Sequence, residues 1–412
     1  MSQELAWNGV HALVGPAPAE ARDADAASAA AQAAAISVAF VSGSRLAALA
    51  EDWSDLARRA DVANVFMHPT LLAEAASAYP EREIGALAAY INGRLAGLWG
   101  FARMRAHQSP LPLNVLAAPP APNAYLSTPV IDRTLLEPVC EAFLAFIASD
   151  ADLPNIVAID AIGTDTATFA ALERVLAARG CAMHVFSRAQ RPKLASDLDA
   201  KAYFEQARSA SSRKKLRQHR RRLGEKGVLT SVVITEPHAV MHAFEDFLVL
   251  EAAGWKGRQG TALLSDAADA QYTRAMIAAL AAEGHAEIHS LTLDGKPVSM
   301  QVLLRAGRTA FTWKTCYDEA LHDFSPGTLL FEDYTAHLLA DKNVDVVDSC
   351  SFDDSGYMGS WRERGDIAQL WFDARPRRSI TFVMLARLQS VYLALRARAK
   401  TLYRNHLRKT GR

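Results

Sequence analysis

The sequence predicts a mixed α/β protein of two tandem lobes, each a central sheet flanked by helices, followed by a basic amphipathic helix. Three observations predict it. One hairpin signature occurs twice, each copy sits between helical stretches and leads on to a helix and an apolar strand, and the composition turns basic after Arg375.

At 412 residues the chain exceeds one ordinary core and fits two domains plus tails. The first 35 residues combine Glu4, Glu20, Asp23 and Asp25 with the run AASAAAQAAA. They lack a basic stretch followed by an apolar core, so 1–35 reads as a disordered Ala-rich tail rather than a secretory signal. The first lobe is expected over 36–195. Its hairpin is ALAAYINGRLAGLWGFAR (Ala86 to Arg103), preceded by the helical LLAEAASAY and followed by LLEPVCEAFLAFIAS and the strand NIVAIDAI. The Pro-rich LAAPPAPN reads as a surface loop within this lobe. The second lobe is expected over 196–374. Its hairpin is IHSLTLDGKPVSMQVLLR (Ile288 to Arg305), preceded by a helix from Asp269 that ends at Gly284, and followed by GTLLFEDYTAHLLA and VDVVDSCS. Asn92-Gly93 and Asp294-Gly295 tolerate the positive φ that two-residue hairpin turns require. A seam is expected across Arg188 to Ala200, where periodicity lapses and a proline intervenes.

The last segment, 375–412, holds eleven basic residues and no acidic one, with Phe382, Leu385, Leu388, Tyr392, Leu395 and Leu402 spaced by three, four or seven positions. This is a basic amphipathic helix suited to an anionic membrane surface, or to docking on its own domain or a second copy. The apolar run from Ile380 to Leu395 is interrupted by Arg387, Gln389 and Ser390 and is shorter than the roughly 20 residues a spanning helix needs. No bilayer crossing is expected. Four scattered cysteines, Cys140, Cys181, Cys316 and Cys350, without CxxC spacing, indicate neither a disulfide framework nor a zinc site and fit a reducing, cytoplasmic compartment.

Ser211 to Gly227 packs seven lysines and arginines into the ten residues from Arg213 to Arg222. On a helix, Arg213, Arg217, Arg220 and Arg221 form a cationic stripe, and Leu216 and Leu223 a narrow apolar seam. A formal net charge of zero and the lack of interleaved aromatics disfavour a nucleic-acid platform.

Four segments in this order, RKKLRQHRRRLGEKG, LEAAGWKGRQGTALL, LTLDGKPVSMQVLLRAGRTAFTWKTCYDEALHDFSPGTLL and VDVVDSCSF, together resemble the acyltransferase domain of the GNAT superfamily found in BioF2-like and CelD-type proteins. They are similar, too, to FemAB aminoacyltransferases, which have two such lobes. The Arg/Gln-x-x-Gly-x-Gly/Ala loop of standard GNAT enzymes is not present. The resemblance implies two GNAT-like lobes and transfer of an acyl group from acyl-CoA to an amine of a saccharide, an exopolysaccharide precursor or an amino lipid. The alternatives are aminoacyl transfer from aminoacyl-tRNA and a non-catalytic scaffold at a membrane.

Such chemistry needs a seat for phosphates, an oxyanion donor and a base. In FSPGTLLFEDYTAHL, Ser325 stands at an N-cap, Pro326 at the first helical position and Gly327 where backbone approaches a ligand, so this helix start with Thr328 suits a pyrophosphate. In TAFTWKTCYDE, alternation puts Trp313, Thr315 and Tyr317 on one face and Lys314, Cys316 and Asp318 on the other. Tyr317 is placed to protonate a departing thiolate, or is a core tyrosine. Cys316 reads as a small buried thiol, which leaves direct attack by the amine in a ternary complex. For the base, Asp348 ends an apolar strand where the resemblance puts an aspartate, and Glu332 sits one turn into the helix after Gly327. In WKGRQGTALL, Trp255 and Lys256 suit an acceptor, and Arg258 an acceptor or a donor phosphate; solvated loop charges are the alternative. His285 and His289 would not share a face as helical ligands do, and no metal is assigned.

Overall fold

The computed structural model describes residues 36–106, 109–351, 356–377 and 379–409; the tail expected over 1–35 lies outside them. The first lobe comprises β1 (Ile36–Ser42), α1 (Ala50–Arg59), α2 (Pro69–Ala78), the hairpin β2 (Ile84–Ile91) and β3 (Arg94–Arg105), β4 (Asn114–Ala118), β5 (Val130–Ile131), α3 (Leu136–Ser149), β6 (Ile156–Gly163), α4 (Ala167–Ala178) and β7 (Met183–Leu194). The second comprises α5 (Ala200–Ala207), α6 (Ala210–Gly224), β8 (Leu229–Ile234), α7 (Pro237–Ala253), α8 (Trp255–Arg258), α9 (Ala267–Ala282), the hairpin β9 (Ala286–Leu293) and β10 (Lys296–Ala306), β11 (Thr309–Tyr317), α10 (Pro326–Ala340), β12 (Val346–Asp348) and β13 (Glu363–Asp373). A long helix, α11 (Ile380–Lys409), follows. Both lobes run strand, helices, hairpin, strand, helix, strand, which is the duplicated plan expected of tandem GNAT-like units.

The local chemistry is as expected. Asn92 and Gly93 (φ 51° and 75°) and Asp294 and Gly295 (φ 50° and 78°) form the two hairpin turns with positive φ at both positions. Helix starts carry acceptors for otherwise orphaned amides: Thr166 caps α4, Asp199 α5, Ser209 α6 and Asp266 α9. Gly284, at φ 75°, follows α9 as its left-handed stop.

The two sheets are one. The order is β1-β2-β3-β4-β6-β13-β7-β12-β11-β10-β9-β8, with β5 beside β3. The final strand of the second lobe, β13, inserts between β6 and β7 of the first. In exchange, the end of β7 pairs through Lys193 and Leu194 with Asp348 and Val347 of β12. Residues 188–194, expected within a seam, are therefore strand at the centre of the molecule. Their partners arrive from β13, far later in the chain, so local periodicity carries no sign of them.

In the second lobe, α7 and α9 bury Phe244, Phe247, Met276 and Ile277 on one face of the sheet, against Ile288, Met300, Val302 and Leu304. On the other face α6 and α10 bury Leu216, Leu223, Leu329, Phe331 and Tyr334, against Leu291, Leu303 and Ala310. The lobes also meet through α2 and α9, where the Tyr79 hydroxyl donates to Asp269 and Thr70 Oγ1 to Glu283 Oε1 at 3.0 Å. Helix α11 seats Phe382 and Ala386 against Val115, Ile156 and Trp371. Burying a phenylalanine this way contributes about 2–3 kcal/mol. By length and composition Ile380–Ala399 is a helix able to cross a membrane, where the sequence run alone had read as too short. Its apolar seam is also divided: Phe382 faces inward, whereas Leu388 and Leu395 are exposed.

Candidate active site in the second lobe

Strands β11 and β12 run parallel only from Thr309–Phe311 against Val346–Asp348. Beyond Phe311, β11 continues for six residues, Thr312 to Tyr317, with β10 as its strand partner and no further partner in β12. Among the described residues no strand pairs with the opposite edge of this stretch where the parallel pair parts. Register with β10 slips between Leu303↔Thr312 and Val302↔Lys314, so Trp313 is a bulge. The expected alternation fails for that reason. Trp313 and Cys316 both turn toward α7, the indole 6.4 Å from the Phe244 ring and Cys316 Sγ 3.8 Å from Phe247 O. Burial pushes the Cys316 thiol up, away from a reactive thiolate.

The stretch ends at a cavity of about 200 Å³ lined by Glu251, Gly254, Trp255, Lys256, Thr315, Cys316, Tyr317, Glu319 and Tyr357, among others. Three predicted residues, Trp255, Lys256 and Tyr317, thus meet. Trp255 presents its indole at the rim with 44% exposure. Lys256 is engaged: its Nζ donates to Glu251 Oε1 at 2.8 Å and Thr315 O at 2.9 Å, tying α8 to β11. Buried Glu251 completes the tie by accepting Leu263 N–H at 2.9 Å. Arg258 donates to Glu319 at 2.5 Å, and Glu319 also accepts Trp255 N–H at 2.7 Å. Those two contacts hold the Glu319 carboxyl below its ordinary range. Burial raises the Tyr357 phenol.

Next to Tyr317 begins α10. Ser325 stands at its N-cap position but in the left-handed region (φ 52°), and its side chain caps nothing. The amides of Thr328 and Leu329 donate instead to Ser325 O, at 2.9 and 3.1 Å. A Cβ on Gly327 would meet Tyr317 Cδ1 at 3.7 Å, an ordinary contact, so packing within the described residues does not demand glycine there.

The arginine helix contributes differently from expectation. Arg213 pairs with Glu205 at 3.3 Å, and Arg220 is held by Asp333 at 2.6 Å and Leu329 O at 3.2 Å, fastening α6 to α10. Arg217 is exposed. Two further cations, Arg222 and Lys226, lie 5.6 and 5.3 Å from the ring centre of Phe324, two residues before α10. Sequence reasoning passed over both; the signal was their position at the C-terminal end of the helix.

Two expected carboxylates are elsewhere. Asp348 is buried and bound to Arg191 Nη1 at 3.1 Å and to Cys350 N–H at 2.8 Å. It lines a separate cavity between the lobes, with Lys193, Thr128 and Phe311. Glu332 pairs with Arg208 at 2.8 Å on the far side of α10, and burial raises its carboxyl against the pull of Arg208 and Arg220. Neither reaches the cavity beside Tyr317, because long-range arginine partners had left no mark in the local sequence.

Lys314 was missed as a functional candidate. Burial lowers its ammonium from 10.5 to about 8, and its Nζ donates to Asn123 Oδ1 of the first lobe at 2.8 Å. Trp313 Nε1 donates to Asn123 O at 2.8 Å. The Pro-rich loop thus closes on β11 rather than facing solvent alone.

His285 and His289 belong to two different clusters, His68–Glu283–His285 and Glu287–His289–His337. In the first, His68 Nδ1 accepts Thr70 N–H at 3.2 Å, so the neutral ring carries its proton on Nε2, the atom turned to Glu283. That tautomer has no lone pair for a metal. In the second, both Glu287 oxygens are taken by Arg305 at 3.0 Å, and one also by His289 at 2.9 Å.

Residues 210–357 match the family model described as an acetyltransferase (GNAT) domain. Among solved structures, FemX is similar at 12% identity and a TM-score of 0.53, over 78% of this chain and 95% of that one. A conserved protein of unknown function from Bacteroides thetaiotaomicron is similar at 16% identity and a TM-score of 0.52, over 82% and 99%. A search of curated proteins finds no match. Residues 210–357 of the second lobe are thus similar to a GNAT acetyltransferase domain, and the chain as a whole shares the fold of FemX.

Proposed function

We propose that this chain transfers an acyl group from acyl-CoA to an amine by direct attack in a ternary complex. The observation that carries the reading is the stretch of β11 from Thr312 to Tyr317, which runs on beyond its pairing with β12 into a cavity beside the start of α10. An extended pantetheine arm pairs with such a stretch as an added strand does. Among its described residues the first lobe offers no equivalent. Its β4 stops after pairing with β6 through Ala118, where Pro119 and Pro120 begin and the backbone loses its donors.

In this scheme the α10 start holds the donor's pyrophosphate through Gly327 N–H and the hydroxyls of Ser325 and Thr328, aided by Arg222 and Lys226. The amine nitrogen attacks the thioester carbonyl, the C–S bond breaks, and the Tyr317 hydroxyl gives its proton to the leaving sulfur. The proton lost by the amine leaves to solvent through the cavity. Trp255 offers an aromatic face to a saccharide or amino-lipid acceptor. Asp348 and Glu332 hold the framework.

Thiol release from a panel of acyl-CoAs with amino sugars and sphingoid amines tests the reading. It expects thiol and amide in equal amounts. No thiol release from any donor, with tRNA binding that survives physiological salt, would move the donor to aminoacyl-tRNA.

A further inference from the structure

Helix α11 has two apolar faces. The inner one, Phe382, Ala386 and the buried Gln389, packs on the first lobe. On the outer one Ile380, Met384, Leu388, Val391 and Leu395 are exposed by 79, 66, 46, 56 and 59%. At 3.6 residues per turn these five fall within a sector of about 80° on the side opposite Phe382. This stripe differs from the one periodicity suggests, because Phe382 and Leu388 belong to different faces. Five large apolar side chains in one line form a patch that calls for an occupant.

Charge decides which. Arg387 flanks the stripe, Arg396 and Arg398 follow it, and Lys400, Arg404, Arg408, Lys409 and Arg412 continue the sequence with no acidic residue from Arg375 onward. A second copy of the helix would bring like charges together in either direction. An anionic surface would not. The inner face is occupied by the protein itself, so the helix cannot be surrounded by lipid while the fold is intact.

We infer that α11 lies flat on an anionic bilayer, with the stripe from Ile380 to Leu395 in the acyl boundary and the exposed Arg387 and Arg398 at the headgroups. This inference is independent of the acyl-transfer reading. The site in the second lobe then works on a protein held at a membrane surface.

Flotation of the full chain with vesicles of phosphatidylglycerol and phosphatidylcholine, against phosphatidylcholine alone, tests it. Binding is expected to the anionic vesicles, weakening with salt. Each basic residue near the surface is worth about a fivefold factor in partition. The combined Met384→Glu, Leu388→Glu and Val391→Glu variant should lose at least tenfold in binding with its circular dichroism unchanged. As a second readout, an environment-sensitive dye on Leu388→Cys should shift blue with anionic vesicles. Absence of binding, or binding that ignores the three glutamates, overturns the inference. So does a lipid-free dimer in light scattering that the same glutamates disperse.

Discussion

Replacing Asp348 by Asn should damage the fold rather than the chemistry. The carboxylate and Arg191 are both buried, 3.1 Å apart, where the exchanged strand β7 meets β12. Removing one charge of such a buried pair is strongly destabilising, at a cost of about 3–5 kcal/mol. A whole domain is stable by only about 5–15 kcal/mol, so the loss is large. Urea unfolding of Asp348→Asn measures it. The double variant Arg191→Met/Asp348→Leu, which removes both charges, should recover more than half the loss. Activity per folded molecule should stay within about threefold, since Tyr317 and the β11 edge are untouched. Unchanged stability together with a loss of turnover above about a hundredfold would refute the reasoning and return Asp348 to the part of proton acceptor.

Three further outcomes follow from the same geometry. Lys314 has a folded pKa of about 8 against 10.5, so its burial costs stability below pH 8 and the cost fades as pH rises from 8 to 10.5. Wild type should therefore gain about 3 kcal/mol relative to Lys314→Met between pH 7 and 10.5; parallel stability curves would contradict this. Tyr317→Phe should lower kcat about a hundredfold with little change in KM, read from initial rates over a range of donor concentrations. Arg222→Gln with Lys226→Gln should raise the donor KM about tenfold and leave kcat alone, as loss of charge-assisted contacts to phosphate does.

The parts of this molecule set by nearby residues were legible in the sequence. Asn92-Gly93 and Asp294-Gly295 announced two hairpins because positive φ at both positions suits few other pairs. Their flanking helices and strands followed. What escaped was set at long range. The passage of β13 between β6 and β7, and the pairing of β7 with β12, depend on partners far apart in the chain and reverse the reading of 188–194 from seam to central strand. The site shows the same division. Trp255 and Tyr317 meet at one cavity, whereas Asp348 and Glu332 are claimed by Arg191 and Arg208. Lys314 drew no notice, since its burial depends on Asn123 in the other lobe. The bulge at Trp313 came from register with β10, and a strand read alone shows only its alternation.

Hydrogen exchange with and without CoA tests the central claim most directly. The account predicts that CoA slows exchange along Lys314 to Tyr317 and at the first turn of α10 around Gly327, where β11 runs on beyond its pairing with β12 and a helix start awaits the donor. Protection confined to the first lobe, around β4 and β6, or no protection anywhere at saturating CoA, would contradict it.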